Sequence, residues 1–568
     1  MIRKPFWSAK GVPIHIDVAA IALLAFLTGL LYLPFLHNPL VFDDHVFFFG
    51  NKFAYFATHP FGLLPRAPAY FSLAAVEVLF GRIELHRLLS LLLHLACALA
   101  LYGLTRELLL VTSRRGGRRL GEAEYRRVVA CSLFAAGTFA LHPASVYAAG
   151  YLVQRSIVLS TLFGLLSLWV LLRAMQDNRS AGTIAAAVLF SLAVLAKEHS
   201  ILLPLVALPL AYLATADSKA RIKHVLLYWV ASAPAVAIVF LMLRQILGQP
   251  YEPHVDAISS QSFSVDGVEG ISLTWPFSAA TQLGLFFRYV ALWIWPDTHR
   301  MAIDLRIDLA ASWSLAWGGL KIAAFVIWGA IAAMMLRRGG RAAVAGFGLV
   351  YAWILFLVEL SVLRFQEPFV IYRSYLWAPG IVIAVAAAVD ALGTRVALGA
   401  FALVVPLIFY QAHDRLGTFS SALLLWEDAA ARLPDEPVPW GSRVLYNLGR
   451  EYLYTEQPDK ALAVADRCMA IYPRAHHCLY ARGAILYQMG RYEQALTNFR
   501  AAAVVEPKSG ITQHRIGLAL EKLGRTDEAK ERYRKAATLG YRGGQMELGR
   551  LSSTASVGQA KSQMGAKP

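Results

Sequence analysis

Two adjacent carboxylates, Asp43 and Asp44, follow directly on the first long apolar segment, residues 18–36. An ionisable side chain at membrane depth costs about 2.5–3.5 kcal/mol on insertion scales, so such groups usually face a polar cavity and have a function. A carboxylate in this place can act as a general base and take the proton of an acceptor hydroxyl. The alternative is an acidic turn that only ends the helix at the membrane surface.

Basic and protonatable side chains stand at the ends of other apolar segments. Such groups bind a phosphate and stabilise the charge that develops on it when it leaves. The candidate phosphate-binding residues are Arg66, His142, Arg155, Lys197, His199 and Arg373, and Arg364 lies at the same level. Anionic lipid head groups are the alternative explanation for scattered basic side chains, and a hairpin tip is the alternative for the run from Lys197 to His199.

The sequence gives no clear signal for a cofactor. No group of His, Cys and Asp residues has the ligand spacing of a zinc site, although a loosely held divalent ion near Asp43 and Asp44 is left open. The chain has no glycine-rich phosphate loop, so nothing indicates a soluble nucleotide donor.

The composition identifies a membrane protein. Of the 568 residues, 57% are hydrophobic and 16% are charged, and the mean hydropathy is +0.50. This is too apolar for an ordinary soluble protein, which has about a quarter charged residues. The net charge of +17 is typical of Lys and Arg in cytoplasmic loops, so we do not expect a nucleic-acid partner.

Apolar runs long enough to span a bilayer predict about eleven crossings. The runs lie at about residues 18–36, 85–111, 128–147, 151–172, 182–197, 200–216, 225–247, 311–336, 342–363, 375–391 and 396–412. Basic connectors and the N-terminus belong in the cytoplasm, and a further crossing at 281–296 would break this alternation, so we predict a re-entrant or interfacial helix there. The acidic pair, the basic helix ends and the C-terminal part then share the non-cytoplasmic side.

A repeat begins where the composition becomes polar. Gly449, Gly483 and Gly517 are spaced by 34 residues, which is the period of a tetratricopeptide (TPR) helix pair. Small residues at these points let two helices pack closely, and Pro473 and Pro507 close the first two repeats. The predicted domains are a membrane domain at 1–412, a linker or capping helix at 413–439, a TPR domain of about three repeats at 440–551, and a disordered tail at 552–568.

Two cysteines flank the loop that Pro473 closes. Cys468 lies near the end of one predicted helix and Cys478 near the start of the next. An oxidising compartment would allow a disulfide there, and we predict that these two residues are bridged.

Four short motifs and the repeat occur in an order that is similar to a known enzyme family. The motifs are Phe42-Asp43-Asp44, Phe139 to Pro143 with Arg155 after it, Leu195 to His199, and Tyr372 to Leu376. With the TPR part behind them, the chain resembles the GT-C membrane glycosyltransferases, and within them the transmembrane-and-TPR O-mannosyltransferases and their bacterial relatives.

The resemblance implies an all-α membrane bundle with a C-terminal TPR solenoid, a polyprenyl-phosphate sugar donor, and inversion at the sugar carbon. It makes Asp43 or Asp44 the base, and Lys197 and Arg373 ligands of the donor phosphate. His142, Arg155 and His199 would shape the pocket. The family often has an acid shortly before the late arginine, where this chain has Ile371 and Tyr372, so Glu367 is the candidate substitute.

The resulting hypothesis is an inverting glycosyltransferase of the bacterial inner membrane. It would transfer a sugar from the lipid-linked donor to a hydroxyl of an exported protein, with its N-terminus in the cytoplasm and the TPR domain binding the acceptor in the periplasm. One alternative is a transferase that modifies lipid A or a cell-surface polysaccharide. The other is a non-enzymatic TPR scaffold or a flippase for lipid-linked sugars, whose path would involve Glu77, Glu84 and Glu359.

Overall fold

The structure is a computed structural model of the 568-residue chain. It describes residues 14–49, 52–59, 64–113, 120–244, 247, 262–265, 268–272, 275–307, 315–364, 367–551 and 553. The chain divides into two compact units, the first formed by residues 1–257, 273–303 and 312–425 and the second by 258–272, 304–311 and 426–568. The division at 425/426 lies beyond the predicted start of the linker at 413, because the last long helix of the first unit continues to Thr418.

The first unit is built from helices. Its longer helices are α1 (Ile14–Tyr32), α2 (Asp43–Phe48), α3 (Lys52–Thr58), α4 (Ala67–Phe80), α5 (Ile83–Ser113), α6 (Glu122–Leu141), α7 (Pro143–Ala149), α8 (Arg155–Gln176), α9 (Ser180–Ala196), α10 (Ala207–Ala214), α11 (Ser218–Leu243), α12 (Trp275–Ile294), α13 (Leu315–Arg338), α14 (Gly340–Phe356), α15 (Ala378–Leu392) and α16 (Thr394–Thr418). Short 3-10 helices at Leu33–Phe35, Leu152–Gln154, Glu198–Val206, Thr298–Arg300, Leu357–Leu360 and Ile371–Leu376 join several of them.

Eight of the described helices are long and apolar enough to cross a membrane, or nine if α6 and α7, bent by 61° at His142, form one broken span. Three predicted crossings fall on shorter apolar helices, Ser180–Ala196, Glu198–Ala214 and Ala378–Leu392. The segment predicted as re-entrant or interfacial belongs to α12, a continuous 20-residue helix that is long enough to cross. The count of about eleven crossings therefore stays a prediction.

Close helix packing in the first unit depends on small residues. A Cβ atom on Gly348 of α14 would lie only 2.3 Å from the carbonyl oxygen of Gly380 in α15, so these two helices touch through their backbones. Buried ion pairs add to this packing. Asp390 of α15 is buried and pairs with Arg127 of α6 at 2.9 Å and with Arg341 of α14. These contacts hold the bundle in one arrangement without a large apolar side chain at either point.

The second unit contains the predicted repeats. After α17 (Ala422–Ala431), three helix pairs follow: α18 (Gly441–Tyr454) with α19 (Pro458–Ile471), α20 (His476–Gln488) with α21 (Tyr492–Val505), and α22 (Gly510–Lys522) with α23 (Thr526–Thr538). A Cβ on Gly483 would lie 2.7 Å from the ring of Phe499, and one on Gly517 would lie 2.5 Å from the ring of Tyr533. In these two repeats the glycine makes room for an aromatic ring from the second helix of the pair, whereas Gly449 of the first repeat is surrounded by aliphatic and backbone atoms.

A short hairpin is the departure from the predicted all-α fold. Strands β1 (Ser262–Val265) and β2 (Val268–Ser272) pair antiparallel and belong to the second unit. Apart from it, the described chain is helical, as predicted. The tail at 552–568 lies almost entirely outside the described residues, which include only Ser553 of it.

Cys468 and Cys478 form a disulfide between α19 and α20, with their Cα atoms 5.4 Å apart. The predicted bridge is therefore present. Cys97 and Cys131 are buried free thiols in the first unit.

We expect unreduced, denatured protein to contain two thiols that react with an alkylating reagent, at Cys97 and Cys131. Burial protects these two in the folded protein, and denaturation exposes them, whereas the bridged pair stays unreactive until a reductant is added. Peptide mass spectrometry before and after reduction measures this. Alkylation of Cys468 or Cys478 without reductant would contradict the pairing.

Candidate functional site

The two adjacent carboxylates differ in their surroundings. Asp44 is fully buried, and its carboxylate accepts hydrogen bonds from the backbone amides of Val41 at 3.3 Å and Val153 at 2.9 Å. Asp43, the first residue of α2, is exposed. Asp44 therefore joins two loops, and Asp43 is the carboxylate that a substrate can reach.

Arg87 also connects these two loops. Its guanidinium donates to the carbonyl oxygens of Asn38 at 2.6 Å and Gly150 at 2.8 Å, and also to that of Pro39. The guanidinium is almost completely buried, and a fork of fixed N–H groups suits three carbonyls better than a single ammonium would. Arg87 and Asp44 together fix the start of α2.

Burial raises the pKa of the Asp44 carboxyl from 3.8 to about 6, while Arg87 and the two backbone amides oppose the rise. A carboxyl that is taken out of water favours its neutral form. Asp44 is thus ionised at neutral pH but is protonated under mildly acidic conditions, at which its contacts to the two amides change.

Lys197 occupies the turn between α9 and the 3-10 helix Glu198–Val206. Its side chain is buried, with 2% of the residue exposed. The ammonium donates to Gln154 Oε1 at 2.8 Å and lies 5.0 Å from the centre of the Tyr372 ring. Among the described residues, no carboxylate lies within 4.0 Å of it. A buried cation without a counterion is costly, and a bound anion would remove that cost.

Two tyrosines connect this lysine with the acidic pair. The Tyr372 ring lies edge-on to the Tyr151 ring, with centroids 6.3 Å apart. The Tyr151 hydroxyl accepts a hydrogen bond from the backbone amide of Asp43 at 3.0 Å. The predicted base and the predicted phosphate ligand therefore belong to one continuous set of contacts.

Sequence reasoning did not find Tyr151 or Gln154 as members of this site. Both are buried residues at a helix junction, where a tyrosine or glutamine has no distinguishing spacing. The signal that could have found them is their position between His142 and Arg155, which the motifs had already placed at one membrane face.

Arg66 is the second cation of the site and has a carboxylate partner. Its Nε donates to Glu198 Oε2 at 3.1 Å, and Nη2 donates to the other oxygen of the same carboxylate. Arg66 has a φ of 65°, in the left-handed region that non-glycine residues rarely adopt. The two-point contact between guanidinium and carboxylate is consistent with such a constrained backbone.

His199 lies between two carboxylates. Its Nδ1 is 3.3 Å from Glu198 and its Nε2 is 3.5 Å from Glu359. Glu359 in turn pairs with Arg364 at 2.8 Å and lies 3.8 Å from Arg373. The carboxylate beside the late arginine is thus Glu359, from the end of the preceding helix, whereas Glu367 contributes its backbone carbonyl to Arg373 at 2.9 Å.

We call Arg66, Lys197, Arg364 and Arg373, with Glu198 and Glu359, the cation cluster. The four cationic side chains outnumber the two carboxylates, and all six are largely buried. In a medium of low dielectric constant an excess of positive charge attracts an anion strongly.

A cavity of about 230 Å³ adjoins the cation cluster. Glu198, His199 and Arg364 form part of its wall, and most of the remainder is apolar. The apolar lining includes Ile201, Leu202, Phe240, Leu243, Leu357 and Val362. A pocket that is apolar along one side and has charged groups of both signs at one wall suits an amphiphile with a charged head group.

His199 contacts both carboxylates of the cation cluster, whereas the other two predicted phosphate ligands, Arg155 and His142, have different neighbours. Arg155 is fully buried and donates to Ser90 Oγ at 3.1 Å, to the Ser72 carbonyl at 3.0 Å and to the His86 carbonyl at 2.7 Å. Its guanidinium is therefore already occupied by protein acceptors, and the geometry gives it a role in positioning α8 against α4 and α5.

His142 is also buried, and its ring stacks on Trp293 with centroids 4.2 Å apart. Trp293 donates to Ser374 Oγ at 2.9 Å, next to Arg373. His142 thus contacts, through Trp293, the 3-10 helix that contains Arg373. Among the described residues, no group of three His, Cys, Asp or Glu side chains is arranged to hold a metal ion, so the geometry gives no support to the divalent ion left open near Asp43.

Comparison with known proteins identifies the C-terminal part. Residues 442–474 and 512–539 match the family model of the tetratricopeptide repeat. Similar solved structures include MamA from AMB-1, with 25% identity over 24% of this chain and 78% of that chain and a TM-score of 0.19. They also include the Sgt2 TPR domain from Aspergillus fumigatus, with 27% identity over 24% of this chain and 88% of that chain and a TM-score of 0.21.

A third structure, YrrB, is described as a TPR protein with an unusual peptide-binding site; it shares 19% identity over 26% of this chain and 73% of that chain, with a TM-score of 0.20. No curated protein matches the chain. The match to the family model shows that the chain contains tetratricopeptide repeats, as the 34-residue period predicted, and TPR domains generally bind polypeptide partners.

We expect Asp44→Asn to change how stability depends on pH. The folded protein keeps the Asp44 proton up to about pH 6, whereas the unfolded chain releases it near 3.8. Raising the pH through this window therefore destabilises the wild-type fold, by about 3 kcal/mol from this group. The stability difference between wild type and Asp44→Asn should fall by that amount between pH 4 and pH 7.

Thermal unfolding in detergent across this pH range measures the difference. Asp43→Asn is the matched control: the Asp43 charge is the smallest of the causes that shift the Asp44 pKa, so most of the wild-type slope should remain. Identical pH dependence in wild type and Asp44→Asn would contradict the burial of an ionisable group at this position.

Proposed function

We propose that the chain is an inverting membrane glycosyltransferase that uses a polyprenyl-phosphate sugar as donor and a hydroxyl of an exported polypeptide as acceptor. The observation that supports this most directly is the buried ammonium of Lys197, which has no carboxylate within 4.0 Å among the described residues and is connected through Tyr372 and Tyr151 to the exposed Asp43. An anion-binding site and an accessible carboxylate are the two groups that such a transfer needs.

In the proposed reaction, Asp43 accepts the proton of the acceptor hydroxyl. The hydroxyl oxygen attacks the anomeric carbon of the donor from the side opposite the phosphate, so a carbon–oxygen bond forms there. The bond between that carbon and the phosphate oxygen breaks, and the phosphate leaves with the electron pair. Lys197 and Arg373 stabilise the charge that grows on the leaving phosphate. Asp44 and Arg87 position Asp43 without touching either substrate.

The apolar cavity and the disulfide support the location of this chemistry. A lipid-linked donor needs an apolar surface beside its phosphate, and the cavity next to His199 and Arg364 offers one. A disulfide between Cys468 and Cys478 is typical of an oxidising compartment. We therefore propose a bacterial inner-membrane location with the TPR domain in the periplasm, where it binds the acceptor polypeptide.

We expect Asp43→Asn to lower transfer at least about a hundredfold, because a general base contributes that much or more. Lys197→Met should weaken donor binding at least about tenfold, because it removes a buried cation from the proposed phosphate site. The release of carrier phosphate from a panel of polyprenyl-phosphate sugars measures both effects.

The control is thermal stability, which Asp43→Asn should leave within experimental error of wild type. Normal transfer by a folded Asp43→Asn variant would contradict the proposed base. No release of carrier phosphate by the wild type with any sugar and acceptor would contradict the enzyme itself.

The TPR match favours a second candidate, a membrane-anchored scaffold without catalytic activity. The repeats alone account for a polypeptide partner in either case. The two functions differ in what the removal of the repeats would change.

We expect deletion of residues 426–568 to abolish glycosylation of exported proteins in cells while the slow hydrolysis of the donor lipid continues, because the acceptor site is lost and the donor site is retained. Comparative glycoproteomics of cells with the full chain, the truncated chain and no chain measures this and also gives the sugar mass. An unchanged glycoprotein profile in all three strains would favour the scaffold, and loss of a modified lipid or polysaccharide instead would indicate a different acceptor.

A further inference from the structure

Glu359 is the centre of the late half of the cation cluster. It is 2% exposed and lies in the 3-10 helix Leu357–Leu360 that ends α14. One carboxylate oxygen is 3.5 Å from His199, and the other is shared by Arg364 at 2.8 Å and Arg373 at 3.8 Å. One carboxylate thus faces two guanidinium groups at unequal distances.

Arg364 is held at both ends. Its backbone amide donates to Ser278 Oγ at 2.9 Å, and its Nη2 is 3.5 Å from His199. Its Nε lies 2.8 Å from a Glu359 carboxylate oxygen as a close ion pair, without the angle of a hydrogen bond. Removing Arg364 from Glu359 would therefore disturb several contacts at once.

Arg373 is held more loosely. Its guanidinium lies 3.8 Å from Glu359, too far for a hydrogen bond, and makes one hydrogen bond among the described residues, from Nη1 to the Glu367 carbonyl at 2.9 Å. Its backbone amide donates to the Val370 carbonyl at 3.2 Å. Among the described residues, its other guanidinium N–H groups have no acceptor. Arg373 is nevertheless 95% buried, with 5% of the residue exposed, so these donors are both sheltered and available.

We propose that Glu359 is an exchangeable counterion: when a phosphate head group enters the cation cluster, Arg373 passes from Glu359 to the phosphate, while Arg364 stays on the carboxylate. That the phosphate belongs to a lipid-linked sugar rests on the proposed function; the exchange itself rests on the two distances and on the available donors of Arg373.

Both the phosphate and Glu359 give a physical reason for the exchange. A phosphate offers a guanidinium two parallel hydrogen bonds, which the distant carboxylate does not. Glu359 in turn keeps Arg373 from holding the phosphate too firmly, because its negative charge competes for the same guanidinium. Its role would be to keep the phosphate site reversible, so that the carrier phosphate can leave after transfer.

The test is the dissociation constant of farnesyl phosphate for the full-length protein in detergent, with Glu359→Gln compared to wild type. Loss of the competing charge should lower this constant at least about tenfold. A carboxylate that only maintained the local fold would have the opposite effect, because its loss would weaken binding. An unchanged or raised dissociation constant in folded Glu359→Gln therefore overturns the proposal.

Glu367→Gln is the matched control. It removes the same charge from the neighbouring loop but keeps the carbonyl that Arg373 uses, and its dissociation constant should stay within about threefold of wild type. Glu359→Asp keeps the charge and should behave more like wild type than like Glu359→Gln. If Glu367→Gln lowered the dissociation constant of farnesyl phosphate as much as Glu359→Gln does, the specific role of Glu359 would be overturned.

A second pair of variants keeps the proposal testable if Glu359→Gln does not fold. Arg373→Met and Arg364→Met each remove one partner of Glu359, and Arg373→Met should weaken farnesyl phosphate binding at least about tenfold more. Equal effects of the two changes would overturn the assignment of Arg373 as the exchanging group.

Inorganic phosphate serves as the second probe. It should bind more weakly than farnesyl phosphate and respond to Glu359→Gln by a similar factor, because the exchange concerns the head group. Equal affinity for the two probes would assign the site to a free anion and would overturn the lipid assignment. All of these measurements record binding, so they separate the failure of this proposal from a failure of the transfer reaction.

Discussion

The burial of Lys197, with no carboxylate within 4.0 Å among the described residues, is the constraint behind the proposed site. Ionic groups inside proteins are normally paired, because removing a charge from water costs several kcal/mol. Here the ammonium has a glutamine oxygen and an aromatic ring as neighbours, which stabilise a cation but do not neutralise it. The neighbouring residues add to the excess, since two carboxylates face four cations. A bound anion would remove the cost of burying this charge.

Several buried contacts of the first unit fix the position of the exposed Asp43, which two tyrosines connect to Lys197. Arg87 donates hydrogen bonds to three carbonyl oxygens in two loops, and Asp44 accepts one from a backbone amide in each loop. These contacts lie directly behind Asp43, which they leave at the surface. The adjacent acids thus differ: Asp44 is bound to backbone amides, whereas Asp43 is exposed. The TPR repeats, which are shown independently by the family match, supply a surface for a polypeptide.

The sequence predicted those parts of the molecule that depend on local pattern. The 34-residue period predicted the repeats, and the flanking cysteines of one loop predicted the disulfide. Charges at helix ends indicated Asp43, Asp44, Lys197 and Arg373 as candidate site residues, and their roles stay predictions. It did not find Glu359 as the partner of Arg373, because that contact joins two helix ends and the carboxylate stands within an apolar run that looked like a membrane crossing. It grouped Arg155 with the phosphate ligands because a buried structural arginine and a ligand have the same sequence signature, and only the acceptors around Arg155 distinguish them.

The most direct measurement of the central claim is an experimental structure of the full-length protein with a bound polyprenyl phosphate. The account predicts that the phosphate lies within hydrogen-bonding distance of both Lys197 Nζ and the Arg373 guanidinium, that the first isoprene units enter the cavity beside His199, and that the Asp43 carboxylate opens onto the same space. A phosphate bound elsewhere, with Lys197 still on Gln154 and away from any anion, would contradict it.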